Sequence, residues 1–130
     1  MPRLMRDAAD LAKLGVATVA ICANDATSHP EDSFENMKGF ARDNGFAFPY
    51  LHDHSQEVAG AYGAVCTPDF FGFNRDLELQ YRGRLDASKT KLVPEARREL
   101  YEAMKQVAET GEGPREQTAS MGCSIKWRAA

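Results

Sequence analysis

The chain has 130 residues, 43% of them hydrophobic and 27% charged, which fits one globular domain and is too short for two ordinary ones. A net charge of −3 without a basic stripe argues against a nucleic-acid binder; the nearest candidates are Arg82 with Arg84 at a strand end and Arg97-Arg98 on a helix surface. No apolar run approaches the length of a membrane span, and Met1 to Leu14 is charged and lacks a secretory core, so a cytoplasmic protein with no membrane partner is expected.

Leu4, Ala8, Leu11 and Ala12 follow helical spacing, and Gly15 is placed to end that helix. Val16 to Cys22 is short, continuous and rich in β-branched residues, which predicts a buried strand. Ser33 suits an N-cap, with Glu35 in the first turn and an apolar stripe of Phe34, Met37 and Ala41; Asn44-Gly45 stops this second helix. Phe46 to Leu51, interrupted by Pro49, reads as a short edge strand. Asp53 with Gln56 resembles a capping box that opens a helix running to Gly63.

After Cys66-Thr67-Pro68, the run Asp69 to Phe73, the turn Asn74-Arg75-Asp76 and the segment Leu77 to Arg84 predict a β-hairpin, with Leu77, Leu79 and Tyr81 on one face. Phe70, Phe71 and Phe73 read as core of a central strand. Asp86 to Val93 is a polar loop, and Pro94 suits the first turn of a last helix. Ala96, Leu100, Ala103, Met104 and Val107 give that helix one apolar face. From Gly111 the tail has little periodicity, and Trp127 is its expected anchor.

The order helix, Thr67-Pro68, hairpin, helix is that of the second half of a thioredoxin fold. Gln56-Glu57-Val58-Ala59, Cys66-Thr67-Pro68-Asp69-Phe70-Phe71, Tyr81-Arg82-Gly83-Arg84-Leu85-Asp86 and Gly122-Cys123-Ser124-Ile125-Lys126-Trp127 carry a closer likeness. With them the chain resembles the thioredoxin-like redoxin family related to the alkyl hydroperoxide reductase/thiol-specific antioxidant group. The resemblance implies an α/β, thioredoxin-like fold: a three-layer α/β/α sandwich around a mixed sheet, over residues 1–110, with residues 111–130 as a tail packing on it. Family members carry a CxxC motif at the start of a helix after a central strand. No CxxC occurs here, and Met1-Pro2-Arg3-Leu4 matches the later part of that helix, so the sandwich is expected to be incomplete, without that central strand. Bare strand edges left by such a gap invite pairing with another chain, hence an expected homodimer.

Three cysteines, Cys22, Cys66 and Cys123, are too few for a secreted disulfide framework. The resemblance places Cys66 beside the active site and implies a cis peptide at Thr67-Pro68. A nucleophilic thiolate needs a helix N-terminus or a cation, which Arg82 or Arg84 would supply. Cys66 and Cys123 are therefore the candidate redox thiols, with Thr67, Pro68, Arg82 and Arg84 as candidate substrate-binding residues. Each cysteine is otherwise a small packed hydrophobe, and Cys22, ending a core strand, is read that way. His52, His54 and Cys66 fit no standard zinc spacing, and no metal or cofactor is expected.

Two functions follow. The first is thiol-dependent redox chemistry, either disulfide exchange or peroxide reduction, with a thiol or disulfide substrate or a reductant protein as partner; activity of this chain alone is expected to be low. The second is a non-catalytic thioredoxin-like module for binding or dimerisation. A metal clip through Cys66, Cys123 and a histidine is a weaker third.

Overall fold

The computed structural model describes residues 2–88 and 96–127, except the side chains of Pro2 and Cys123. In chain order the elements are α1 (Pro2–Lys13), β1 (Ala20–Cys22), α2 (Phe34–Asp43), β2 (Tyr50–His52) and α3 (Glu57–Tyr62). They continue with β3 (Cys66–Thr67), β4 (Phe70–Phe73), β5 (Leu79–Gly83), α4 (Glu99–Thr110) and β6 (Cys123–Ser124). Parallel pairing of β1 with β2 and antiparallel pairing of β4 with β5 occur in separate two-stranded sheets, and β3 with β6 forms a third. The architecture is α/β as expected, but the described strands form three small sheets rather than one mixed sheet. The chain divides into two compact units, residues 18–65 with the C-terminal residues from 124, and residues 2–17 with 66–123.

In the first unit Ala20, Ile21 and Cys22 pair with Tyr50, Leu51 and His52. The β1 ladder begins where Ala20 N–H meets Pro49 O at 2.9 Å, four residues later than the apolar run suggests. Val16 belongs instead to the turn that leaves α1, with its N–H on Leu11 O at 3.0 Å and Gly15 at φ +83°. Nor is the strand buried: Val19 is 53% and Ile21 40% exposed. β2 starts only after Pro49, which has no N–H to give but still lends its carbonyl to β1.

Ser33 caps α2 as expected, its hydroxyl accepting from Asn36 N–H at 3.2 Å, and Gly45 follows the helix end at φ +65°. The capping box before α3 is not formed. Gln56 itself holds the N-cap position at φ +66°, and its side chain donates to Ala23 O and Lys126 O. Asp53 serves the helix differently, accepting from Ala59 N–H at 2.8 Å in its first turn. The C-terminal residues are held here through Asp25 N–H to Lys126 O, Lys126 N–H to the Asn24 side-chain Oδ1, and buried Ile125. Trp127, the expected anchor, is 49% exposed.

In the second unit α4 presents Leu100, Ala103, Met104 and Val107 as one stripe, packed with Leu11 of α1 and Tyr81 of β5. Phe70 and Leu85 border this core. Gly72 lies where a Cβ would collide with the Met104 sulfur, so the helix can approach the hairpin closely. A bulge between Gly72 and Phe73 pairs them with Tyr81 and Leu79 respectively. One extra residue reverses the alternation, which is why Tyr81 is buried while Leu79 is half exposed and Leu77 lies in the turn at φ +61°. The three do not share one face. Pro94, expected to open α4, lies outside the described residues; α4 begins after Arg98.

Arg98 is partly exposed and does more than lie on the surface. Its guanidinium bonds Asp7 and Asp10 of α1 and lies 3.9 Å from the Tyr101 ring centroid. Asp7 is 1% exposed, so α1 and α4 are joined by a partly buried charge pair as well as by apolar contact. Arg3 reaches both oxygens of Asp86 at 2.6 Å, and Ser88 N–H donates to the same carboxylate at 2.8 Å. Burial opposes ionisation of Asp86, but the hydrogen bonds from Arg3 and Ser88 prevail and lower its pKa below 3.8. Its contribution is therefore full above that value and is lost as pH falls through the lower folded-state pKa. Asp86→Asn should cost about 1.5–3 kcal/mol in urea unfolding at pH 7, and the gap to the parent should close in strong acid.

Candidate functional site

The segment Val65-Cys66-Thr67 alternates in exposure, with Cys66 buried between two exposed neighbours. The Thr67–Pro68 peptide is cis, as the resemblance implied, and both residues of this turn face solvent. Beneath it the Cys66 thiol has two acceptors for its one proton, Pro68 O at 3.8 Å and Ser120 O at 3.7 Å.

Burial, followed by the Asp69 charge, pushes the Cys66 pKa up, and Arg82 opposes this only partly. Geometry explains the weak opposition. Arg82 Nη2 lies 3.3 Å from Asp69 Oδ2, and its guanidinium sits 5.0 Å from the Phe71 ring centroid. The cation is thus shared with a carboxylate that is itself nearly buried. Arg84 is turned to α4, where its Nε lies 3.1 Å from both Glu99 oxygens. Of the two arginines, only Arg82 acts on the thiol. Cys66 lies in a strand and gains nothing from a helix N-terminus.

Cys123 enters the site through its backbone: β6 pairs with β3, putting Cys66 and Cys123 on adjacent strands. The Cys123 side chain lies outside the described atoms. Cys66 and Cys22 are free thiols. Cys22, in the other unit, is half buried; burial raises its pKa, and it hydrogen-bonds the Tyr50 side chain. His52 and His54 meet edge to face with ring centroids 5.6 Å apart. Among the described residues no three His, Cys, Asp or Glu side chains gather as metal ligands.

The segment before β6 completes the site, and its role was not foreseen. Gln117 receives Arg82 N–H at 2.9 Å and donates to Gln80 O at 2.8 Å. Thr118 O receives Arg84 N–H, and Ser120 donates its hydroxyl to Gly83 O. These bonds run beside β5 and bring Ser120 O over the Cys66 sulfur. Gly122 then approaches the Thr67 carbonyl so closely that a Cβ would collide with it. The signal in the sequence was the small-residue set Ala119, Ser120 and Gly122, which permits such an approach without any hydrophobic periodicity.

A sequence model of the AhpC/TSA family matches residues 1–82. The chain belongs to the AhpC/TSA family. Two solved structures extend the likeness to almost the whole chain. A hypothetical protein from Sinorhizobium meliloti is 40% identical with a TM-score of 0.91, the match covering 98% of this chain and 70% of that one. An uncharacterized conserved protein from Geobacillus kaustophilus is 48% identical with a TM-score of 0.89, covering 98% and 68%. The search of curated proteins gave no match. Among the described residues no helix is long and apolar enough to cross a membrane.

A thiol held this way is protonated at neutral pH, so its alkylation should be slow and rise with pH to a midpoint above 9.0. Asp69→Asn removes an acid that raises the pKa and frees Arg82. It should lower that midpoint and speed iodoacetamide labelling at pH 7.5, read by mass spectrometry of the Cys66 peptide. Gly122→Ala should separate the tail from β3 and raise Cys66 labelling at least severalfold, with α4 helicity retained.

Proposed function

We propose that this AhpC/TSA-family chain takes part in thiol-dependent redox chemistry at the Thr67–Pro68 turn, by disulfide exchange or peroxide reduction. The observation that carries the reading is an exposed Thr67–Pro68 turn directly above a free Cys66, with Cys123 on the paired strand. In peroxide reduction the Cys66 thiolate attacks one peroxide oxygen. An S–O bond forms, the O–O bond breaks, and the other oxygen leaves as water or an alcohol. The sulfenic acid then condenses with the Cys123 thiol, releasing water and forming a disulfide that an external dithiol reduces. Thr67 and Pro68 would present the partner, and a cytoplasmic setting would keep the resting state reduced.

The activity of this chain alone is low on this reading, because burial and Asp69 hold Cys66 protonated and Arg82 is shared. Peroxide in small excess should remove two thiols together, with a Cys66–Cys123 bond in the intact mass and peptide map, and Cys66→Ser should abolish that pairing. Independent loss of the thiols, with no Cys66–Cys123 bond formed, would overturn the proposal.

One observation favours the second reading, a binding or dimerising module. Val19, Ile21 and Leu51 lie half exposed on the β1–β2 ribbon, where Ile21 and Leu51 are register partners. Sedimentation of the parent against Ile21→Lys separates the two, since a dimer dissolved by that single change assigns the ribbon to a second copy.

A further inference from the structure

A groove of roughly 310 Å³ lies wholly within the first unit, between α2 and the chain that follows it. One wall is a helical face of Phe34, Met37, Lys38, Ala41 and Arg42, spaced at three and four residues. The other wall is the row Phe46, Phe48 and Tyr50, alternate residues along an extended segment. Phe46 stands 4.8 Å from Phe48 and 5.2 Å from Tyr50 between ring centroids, so the row forms a continuous aromatic surface. Burial pushes the Tyr50 pKa up to about 12, so this wall carries no charge at neutral pH.

The lining holds two cations, Lys38 and Arg42, and no carboxylate. They are four apart on one helix face, about 5–6 Å between Cβ atoms, a spacing that one carboxylate can bridge. Their present partners are weak. Lys38 Nζ lies 3.2 Å from Glu35, whose side chain is 81% exposed, and Arg42 Nε lies 3.5 Å from Asp43, 72% exposed. Exposed pairs of this kind contribute little, so an incoming carboxylate replaces them at small cost. Lys38 also rests 4.6 Å from the Phe34 ring centroid, its charge held at the apolar wall. The chain as a whole is negative at −3, so an anion drawn here responds to these two side chains and not to a general positive field.

We infer that this groove binds a small amphipathic carboxylate, its aromatic or short aliphatic body against Phe46, Phe48 and Tyr50 and its carboxylate between Lys38 and Arg42. The volume lies at the small end of ligand sites, which suits a single ring or a short chain. This site uses none of the residues around Cys66.

3-Phenylpropionate titrated into the whole chain, carrying carbon-13-labelled methionine methyls, tests the assignment, with the Met37 methyl as reporter. Saturable binding that moves the Met37 methyl is expected, tightening about three- to fourfold with each methylene added across the phenylalkanoate series until the groove is filled. The double variant Lys38→Glu with Arg42→Glu changes only exposed ends and should bind at least tenfold more weakly with an unchanged circular dichroism spectrum. 3-Phenylpropylamine, with the same body and the opposite charge, should also bind at least tenfold more weakly. Absence of saturation, equal binding of the amine, or affinity unchanged by charge reversal would overturn the proposal. A dimer that sediments as a monomer after charge reversal would overturn it too, by giving the groove to a second copy.

Discussion

The second unit depends on one packing event, the seating of the α4 stripe on the β4–β5 hairpin and α1. Leu100, Ala103, Met104 and Val107 bury their side chains in a single contiguous core with Leu11 and Tyr81. Each fully buried large side chain contributes on the order of 1.5–3 kcal/mol, far more than any exposed ion pair of the chain. Gly72 lets the helix approach, and the bulge beside it turns Tyr81 inward. With Tyr81 fixed, its hydroxyl holds Arg84 O at 2.6 Å, and Arg82 follows on the other side of the strand, over Phe71 and toward Asp69. The surroundings of Cys66 are thus set by how a helix meets a hairpin.

Electrostatics then decides the state of the thiol. A cation near a cysteine is often read as an activating group, yet its effect depends on what else it touches. Asp69 is closer to being Arg82's partner than Cys66 is, and the net result of burial, carboxylate and guanidinium is a raised pKa. Family membership and local chemistry therefore speak to different questions. The first gives the class of fold, and the second says that Cys66 rests as a protonated, covered thiol.

Much of this was legible in the sequence wherever a local rule acts alone. Ser33, Gly15, Gly45 and Gly63 mark element ends because capping and positive φ are properties of single residues. The apolar stripe of α4 was equally plain. What failed needed knowledge of partners. Val16 to Cys22 has the composition of a buried strand, but only Ala20–Cys22 finds a ladder, and its side chains stay partly open. Asp53 and Gln56 have the spacing of a capping box, but Gln56 is drawn to Ala23 and Lys126, a contact 70 residues distant. Nothing in the sequence marks Asp7 for burial, and only the position of Arg98 explains it. Around Cys66, the cis Thr67–Pro68 peptide was expected from the motif, while the covering by Ser120 was not, because a tail of small polar residues leaves no periodic trace.

The two units are interleaved along the chain, and this has a consequence for the order of assembly. Asp7 and Arg98 lie 91 positions apart, and residues 18–65 of the first unit intervene between α1 and the rest of the second. Closing a loop of that length costs about 4 kcal/mol in chain entropy before any contact repays it. During synthesis α1 emerges well before α4 and must wait for it, its charge and apolar stripe uncovered, while the β1–β2 ribbon and α2 can already form from local sequence. The first unit in turn waits for Ile125 and Lys126, about 60 residues after its other members. The second unit is therefore completed only once α4 has been made and the first only once Ile125 has, so a chain interrupted before α4 would hold neither core intact.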